Sequence, residues 1–170
     1  AAGALAATPD PARAAPLTST LGRDATQYGV RPNSPDDQTK TLQRAIDAAA
    51  NAQMPLALPP GIYRTGALRV PNGGQLVGIR GATVLKFTGG ASLIGSEGAS
   101  GITLTGLTLE GAGIKLADRR GLVHFQNGLD VRVQDCDIVG SGGYGIWFES
   151  IAGEVSGNTI RKTANTAFTS

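Results

Sequence analysis

Short stretches of alternating apolar and polar residues dominate the chain after Met54, and residues typical of turns separate them. Residues 62–65 and 67–70 are two such stretches, bracketed by Pro59-Pro60-Gly61 and Pro71-Asn72-Gly73-Gly74. Alternation with a period of two is typical of β-strands, because successive side chains point to opposite faces. Proline and glycine clusters of this kind are typical of turns. This part of the chain is therefore predicted to consist of strands and tight turns.

One segment ahead of the strands has helical periodicity instead. Its apolar residues recur every three to four positions, with polar residues between them: Leu42, Ala45, Ile46 and Ala49. The preceding Ser34-Pro35-Asp36-Asp37 offers a capping hydroxyl, a proline suited to the first helical position, and two carboxylates for the positive end of the helix dipole. We predict one amphipathic helix over about residues 36–53, capped by Ser34, after a short extended segment that begins at Ala25.

The strand pattern repeats along the chain. Ile102-x-Leu104-x-x-Leu107-x-Leu109 recurs at Val131 after 29 residues, and again at Gly153 after a further 22. A second track, Val123-His124-Phe125-Gln126, recurs at Ile146 after 23 residues, and Ala167-Phe168-Thr169 begins a third copy. Repeats of this length bury their apolar side only by stacking. A leucine-rich repeat needs a Leu/Asn signature that this sequence lacks. In a β-sandwich, the alternation of inward and outward residues would not recur in the same phase at a fixed sequence spacing.

The repeats predict an all-β fold, a right-handed parallel β-helix in which strands of successive coils pair about 4.8 Å apart. The amphipathic helix has no helical partner, so we expect its apolar stripe to cap the open strand edge at the N-terminal end of this solenoid. Residues 1–24, rich in alanine, are predicted to be a leader with the remnant of an export signal, and the alternative is an ordinary disordered terminus. Residues 25–170 are predicted to be the capped first coils, with further coils after Ser170.

Two positions in the repeat predict buried structural residues. Cys136 and Asn158 align with Leu107, which points inward at a corner of the coil. We expect Asn158 to form hydrogen bonds with backbone groups of neighbouring coils, and Cys136 to be a buried, inert thiol.

The same alignment brings polar residues together on the outside of the coil. His124 and Trp147 become neighbours in adjacent coils, as do Gln126 and Glu149. With Arg119 and Arg120 in the preceding turn, these residues could hold a sugar, the indole stacking on the ring and the polar groups binding its hydroxyls. In the alternative interpretation, Trp147 lies under a loop or the leader and His124 is satisfied locally.

A second outward column contains Thr103, Arg132 and Glu154, and we expect Arg132 and Glu154 to form an exposed ion pair. Three carboxylates crowd nearby: Asp130, Asp135 and Asp137. They raise the hypotheses of a Ca²⁺ site and of an acid/base pair for glycoside hydrolysis. The alternative is that they are solvated turn carboxylates, and no metal or cofactor motif accompanies them.

Composition excludes several classes of protein. A net charge of +2, with Arg119-Arg120 as the nearest approach to a basic patch, argues against nucleic acid as a partner. No apolar run approaches the roughly 20 residues of a membrane span. The lone cysteine excludes an internal disulfide bond.

Several motifs resemble a known superfamily. The cap segment Asp36-Asp37-Gln38-Thr39 with Leu42-Gln43-x-Ala45-Ile46-Asp47, and the turn Leu58-Pro59-Pro60-Gly61-Ile62-Tyr63-Arg64, resemble the opening of pectate-lyase-like right-handed β-helices. More narrowly, LGRDATQYGVRPNSPDDQTKTLQRAID, DRRGLVHF, GSGGYGIWFE and GNTI resemble the twin-arginine-translocated, uncharacterised repeat proteins of alphaproteobacteria, over about residues 17–170. The resemblance implies export to the periplasm or beyond and further coils, but no particular reaction.

Two functional hypotheses follow. The first is an exported β-helix that recognises a polysaccharide along its side, with lyase or hydrolase residues, if it is an enzyme, outside this segment. The second is a non-enzymatic structural or accessory subunit that docks on a larger periplasmic assembly. Because one fold hosts lyases, hydrolases, epimerases and inert scaffolds, the choice depends on the site.

Overall fold

The computed structural model describes residues 22–169, so the predicted leader lies outside the described residues up to position 21. These residues form a parallel β-helix with one α-helix at its N-terminal end. Each coil passes in turn through three strand-bearing faces, which we name faces A, C and B, and these belong to two sheets. Among the described residues, no helix is long and apolar enough to cross a membrane.

Fourteen strands make up the three faces. Face A comprises β1 (Arg23–Asp24), β2 (Leu56–Ala57), β5 (Gln75–Val77), β8 (Thr103–Thr105) and the later halves of β10 (Gly121–Gln134) and β12 (Tyr144–Ser156). Face C comprises β3 (Gly61–Thr65), β6 (Thr83–Phe87), β9 (Thr108–Glu110), β11 (Asp137–Val139) and β13 (Thr159–Arg161). Face B comprises β4 (Leu68–Arg69), β7 (Ile94–Glu97), the earlier halves of β10 and β12, and β14 (Phe168–Thr169). Because β10 and β12 continue around a corner, faces A and B form one sheet.

The strand register confirms the repeat alignment. Val133 pairs with Leu104 on one side and with Val155 on the other, and Ile138 pairs with Leu109 and Ile160. Phe168 pairs with Ile146, as expected for a third copy of the second track. Every pairing between named strands is parallel, so each inward residue of one coil lies on the inward residue of the next.

These inward columns are the hydrophobic core. Leu56, Leu76, Leu104 and Val133 stack on face A, and Leu68, Ile94, Val123 and Ile146 stack on face B, each at most 2% exposed. On face C, Tyr63 is fully buried and its hydroxyl donates a hydrogen bond to the Pro59 carbonyl at 2.7 Å. Burial raises the pKa of Tyr63 to about 12, so the phenol stays protonated in the core.

Helix α1 (Thr39–Asn51) caps the first coil, as predicted. Its buried residues are Leu42, Ala45, Ile46 and Ala49, and it packs against β2, β3, β4 and β5. The stripe that had no helical partner therefore covers the end of the β-helix core.

Side-chain amides complete the exposed strand edges at this end. Gln43 on α1 accepts a hydrogen bond from the Arg69 N–H and donates one to the Arg69 carbonyl, both at 2.8 Å. Asn33 bonds the backbone of Ile62 in a similar way, accepting from its N–H with the side chain and donating to its carbonyl with its own N–H. These contacts occupy the edges of faces B and C that an added strand would otherwise pair with.

The start of the helix differs from the prediction. Helix α1 begins at Thr39 instead of Asp36, and Ser34 is not its cap; the capping position is Gln38, whose side chain makes no cap bond. Gln38 instead donates its backbone N–H to the Arg64 carbonyl, and its side-chain amide bonds the Arg31 backbone in both directions at 2.7 Å. These tertiary bonds hold the chain outside helical geometry until Thr39.

The segment before the cap also differs from the prediction. Residues Ala25–Tyr28 form a short 3₁₀ helix in place of an extended segment, and Asp24 caps it by accepting from the Thr26 N–H at 2.8 Å. Just ahead of it, β1 pairs with β2, so the folded sheet includes Arg23 and Asp24.

The corner residues agree with their predicted structural roles. Asn158 accepts a hydrogen bond from the Cys136 N–H at 2.8 Å and donates one to the Val133 carbonyl at 2.6 Å. Cys136 is fully buried, and burial raises the pKa of its thiol to about 11. The thiol is therefore protonated near neutral pH and has no nucleophilic character.

Candidate functional site

A groove of about 470 Å³ lies on face B, where β7 and β10 are neighbours. Its polar lining comes from the cap helix, three strands and the turn before β10: Gln43, Arg69, Glu97, Arg120, His124 and Gln126. The register explains why a groove forms here. Outward positions of successive coils align Arg69, Gly95 and His124 in one column. Gly95 has no side chain, so the column has a gap between the arginine and the imidazole.

Glycine at this position is not required by the backbone. A Cβ at Gly95 would meet only the His124 carbonyl oxygen, at 3.5 Å, an ordinary van der Waals contact. The backbone therefore accommodates a Cβ at this position, and a larger side chain would extend into the groove. The groove depends on the absence of a side chain at this position, which makes Gly95 a useful site for blocking it.

His124 and Trp147 stack on one another, as the sequence predicted from their alignment. The two rings are nearly parallel, with an angle of 4° between planes and 6.5 Å between centroids. The Tyr144 ring also packs against the indole in a T-shaped arrangement, with 4.6 Å between ring centroids. Trp147 is half-buried and lies beside the groove, outside its lining.

Glu149 anchors the neighbouring polar side chains. Its carboxylate accepts a hydrogen bond from Trp147 Nε1 at 2.6 Å and another from Gln126 Nε2 at 2.6 Å. These two hydrogen bonds hold the pKa of Glu149 below its usual value. The carboxylate therefore fixes the orientation of the indole.

His124 is more buried than the outward position predicted. Its side chain lines the groove, yet the residue is only 3% exposed. Burial lowers the pKa of His124, and the nearby charge of Arg120 lowers it further, against smaller opposing effects of Glu149 and Gln126. The imidazole is therefore neutral near neutral pH. Within the described chain neither ring nitrogen has a partner at good hydrogen-bond geometry, and both are inaccessible to solvent, but the Gln126 side chain lies close enough to raise the pKa as a hydrogen-bond partner does.

The six predicted site residues divide into three groups. Arg120, His124 and Gln126 line the groove, and Trp147 with Glu149 extends the same surface by one coil. Arg119 is exposed in the turn before β10 and is not part of the lining. Arg69 and Glu97 were not predicted, because β4 and β7 had not been aligned with the second repeat track, and Gln43 on α1 lies outside that track. Aligning Leu68 and Ile94 with Val123 would have found Arg69 and Glu97.

The three carboxylates proposed as a calcium or acid/base cluster form no metal site in the described part of the chain. Asp137 accepts from Arg80 Nη2 at 2.7 Å, and Asp130 pairs with Arg132 Nη2 at 2.6 Å. Asp135 is exposed at the corner. Over residues 22–169, no group of three His, Cys, Asp or Glu side chains is arranged to hold a metal ion.

The expected ion pair between Arg132 and Glu154 is also wrong. The two residues are register partners, as predicted, but Arg132 turns to Asp130 on its own strand. The neighbouring Ser156 and Gln134 side chains lower the pKa of Glu154 more than Arg132 does.

No protein-family model matches the chain, and no curated protein matches it in sequence. The narrower resemblance to twin-arginine-translocated repeat proteins therefore stays a prediction.

Solved structures do share the fold. One, from Parabacteroides merdae and provisionally named a glycosyl hydrolase, has a TM-score of 0.69 at 14% identity, covering 83% of this chain and 75% of its own. The A-module of the mannuronan C-5 epimerase AlgE6 from Azotobacter vinelandii has a TM-score of 0.69 at 21% identity, covering 83% and 44%. The A-module of AlgE4, from the same organism, gives 0.54 at 22%, covering 80% and 52%. The chain thus spans about half the length of the epimerase modules. At these identities the likeness shows a shared fold, and the chain is a parallel β-helix.

Proposed function

We propose that this protein binds polysaccharide in the groove on face B. One observation carries the proposal: a concave surface with charged, amide and imidazole side chains continues over an aromatic ring in the next coil. Sugar rings offer both many hydroxyl groups and an apolar face, so they fit a surface that combines hydrogen-bonding groups with an aromatic ring. Gln126 and Arg120 supply the former, and Trp147 in the next coil supplies the latter.

The repetitive architecture supports an extended ligand. The groove column continues from Arg69 in the first coil to Trp147 in the fourth, with adjacent coils about 4.8 Å apart. A linear chain of sugars lying along this column would contact one coil after another. The names of the similar structures, a glycosyl hydrolase and mannuronan epimerases, agree with a carbohydrate ligand. A periplasmic or secreted location, which the sequence resemblance implies, also fits a polysaccharide ligand.

The proposal concerns binding and assigns no reaction. An acid and a base that flank a glycosidic bond need two carboxyl groups that face one another. Asp130 and Asp137, two of the predicted candidates, are each held by an arginine, away from the face B groove.

The test blocks the groove with a single side chain. Gly95→Leu places an isobutyl group in the gap between Arg69 and His124, and the backbone tolerates it. Thr103→Leu is the matched control, because it adds the same side chain to the outward column of face A. After a screen against polyuronates and other bacterial glycans, calorimetric titration compares the three proteins.

We expect the wild type and Thr103→Leu to bind the same glycan with equal affinity, and Gly95→Leu to lose at least about tenfold. Equal binding by Gly95→Leu would move the site elsewhere. If the wild type binds no glycan and instead retains a protein partner in a pull-down, the accessory-subunit hypothesis replaces this one.

A further inference from the structure

The imidazole of His124 has different neighbours on its two sides. On β12, the indole of Trp147 stacks on it, with 4° between the ring planes and 6.5 Å between centroids. On β7, its register partner is Gly95, which has no side chain. The groove of about 470 Å³ is lined by both Gly95 and His124. The open space beside the ring is therefore the gap over Gly95.

The stacked position suits a neutral ring. His124 is 3% exposed, and within the described chain neither ring nitrogen has solvent access or a partner at good geometry. A protonated imidazole carries two N–H donors, and the nearby Gln126 side chain can accept from only one of them. Burying a cation with an unpaired donor costs more free energy than losing one aromatic stack. Proton uptake therefore favours a ring that has left the stack.

The charged groups around the ring favour the same movement. They come from every element of the groove, while α1 contributes the uncharged Gln43: Arg69 on β4, Glu97 on β7, Arg120 in the turn before β10, and Tyr144 and Glu149 on β12. The charge of Arg120 disfavours a protonated ring in the stacked position. Glu149 already accepts from Trp147 and Gln126. Glu97 is exposed and forms no hydrogen bond or ion pair with the residues that the structure describes, so its carboxylate is available to a cation in the groove.

Glu97 lies within reach of a ring that occupies the gap. It follows Gly95 by two residues on β7, so both positions face outward. From the strand spacing and the rise per residue, the Cα atoms of Glu97 and His124 are about 8 Å apart, a distance that the two side chains can span together. A protonated imidazole over Gly95 can therefore donate one N–H to the carboxylate and turn the other towards the open groove.

We propose that His124 is a pH-sensitive switch of the groove: the neutral ring stacks on Trp147, and the protonated ring turns into the gap over Gly95, towards Glu97. The groove is open over Gly95 in the first state and filled by the imidazole in the second. The switch needs no ligand, so it can be tested without one. Binding of a glycan over Gly95, which rests on the proposed function, should weaken as the pH falls.

The composition of the chain makes the switch directly observable. The sequence contains one histidine and one tryptophan, so in the untagged, ¹⁵N-labelled protein each side-chain signal has a single source. During a titration from pH 7.5 to pH 4.5, the imidazole nitrogen shifts report protonation. The carbon-bound ring protons report stacking, because the ring current of the indole moves them upfield. Circular dichroism of the same samples reports whether the protein stays folded.

We expect the two sets of NMR signals to change together. The nitrogen signals should show protonation with a midpoint below 6.5, because burial lowers the pKa of His124. At the same midpoint the ring protons should lose their upfield shift and the fluorescence of Trp147 should change, while the circular dichroism spectrum stays constant.

A variant with a matched control tests the role of Glu97. Glu97→Gln removes the acceptor of the protonated ring, so the midpoint should move to lower pH by about half a unit or more. Glu110→Gln makes the same change of charge on face C, where Glu110 pairs with Lys86, and it should leave the midpoint unchanged. Gly95→Leu fills the gap and should also lower the midpoint, whereas Thr103→Leu on face A should not.

Three results would overturn the switch. The ring protons could keep their upfield shift while the nitrogen signals show protonation, in which case the ring titrates in place. Circular dichroism could show loss of the fold before the ring protons move. Glu97→Gln and Glu110→Gln could have equal midpoints, in which case Glu97 is not the partner. None of these results affects the polysaccharide proposal, which is tested separately by calorimetric titration of Gly95→Leu with glycans.

Discussion

At the scale of single residues, His124 links the groove to the stability of the fold. Because burial lowers its pKa below the usual 6.5, the ring is neutral in both folded and unfolded states at higher pH. As the pH falls below about 6.5, the unfolded chain binds a proton that the folded state accepts only at its own lower pKa. The folded state is therefore destabilised across that window.

We predict that the difference is visible in a pH series of chemical unfolding. The free energy of unfolding of the wild type should fall between about pH 7.5 and pH 5 more steeply than that of His124→Phe, which cannot titrate there. Both proteins retain the carboxylates with lowered pKa values, such as Asp37 and Glu149, whose effects begin at lower pH. Parallel curves for the two proteins would contradict the burial of a neutral imidazole.

Asn158 provides a structural prediction at the same scale. Its side chain bonds the Cys136 N–H and the Val133 carbonyl, and alanine would leave both backbone groups unpaired. Asn158→Ala should lower the free energy of unfolding by about 1–3 kcal/mol. Asn51→Ala, at the exposed last position of α1, is the control and should change it by less than about 0.5 kcal/mol. An equal effect of the two substitutions would show that the corner bonds contribute little.

Residues whose role follows from the repeat were predictable from sequence. The inward position of Asn158 and Cys136 follows from their alignment with Leu107, and the His124–Trp147 stack follows from a shift of 23 residues. Rotamer choices were not predictable. Arg132 could reach Glu154 across the strands or Asp130 along its own strand, and alignment does not distinguish the two.

At the scale of elements, the cap helix does more than cover the core. Gln43 ties α1 to the backbone of Arg69 and also lines the groove. The helix therefore fixes the edge of the first coil, where the proposed binding surface begins. An amphipathic pattern predicts the buried stripe of such a helix, but it gives no information about polar residues that bond a strand edge.

This tie predicts a local effect of substitution. Gln43→Ala should lower the free energy of unfolding by about 1–2 kcal/mol, because it removes two hydrogen bonds to the Arg69 peptide. Hydrogen exchange of the Arg69 amide should speed up more than that of amides in faces A and C. Arg44→Ala, the next and exposed position of α1, should leave both quantities unchanged. Unaltered exchange at Arg69 in the Gln43 variant would contradict the edge pairing.

The helix start shows where local sequence rules give way to tertiary contacts. Ser34-Pro35-Asp36-Asp37 has the composition of a helix N-terminus, yet Gln38 bonds Arg31 and Arg64 before the helix begins. Asp37 accepts from the Thr39 N–H and hydroxyl and also from Thr88 in the second coil. Contacts with residues far along the chain are absent from a local pattern, so the prediction placed the start three residues too early.

At the scale of the whole molecule, stacking converts sequence distance into columns of side chains. Arg69, Gly95, His124 and Trp147 are far apart in sequence and adjacent in space. The second half of this column was predictable because its repeats are regular. The first half was not, since β4 and β7 lie in coils whose loops differ in length and whose strands are short. The groove could therefore not be predicted from the sequence, because its position depends on the strand register of every coil.

The central claim is that the groove on face B binds a polysaccharide, and a crystal structure with an oligosaccharide tests it most directly. The account predicts electron density for a sugar over Gly95, between Arg69 and His124, with the chain continuing along the column towards Trp147. Oligosaccharide bound on face A or face C, with the groove on face B unoccupied at a saturating concentration, would contradict it.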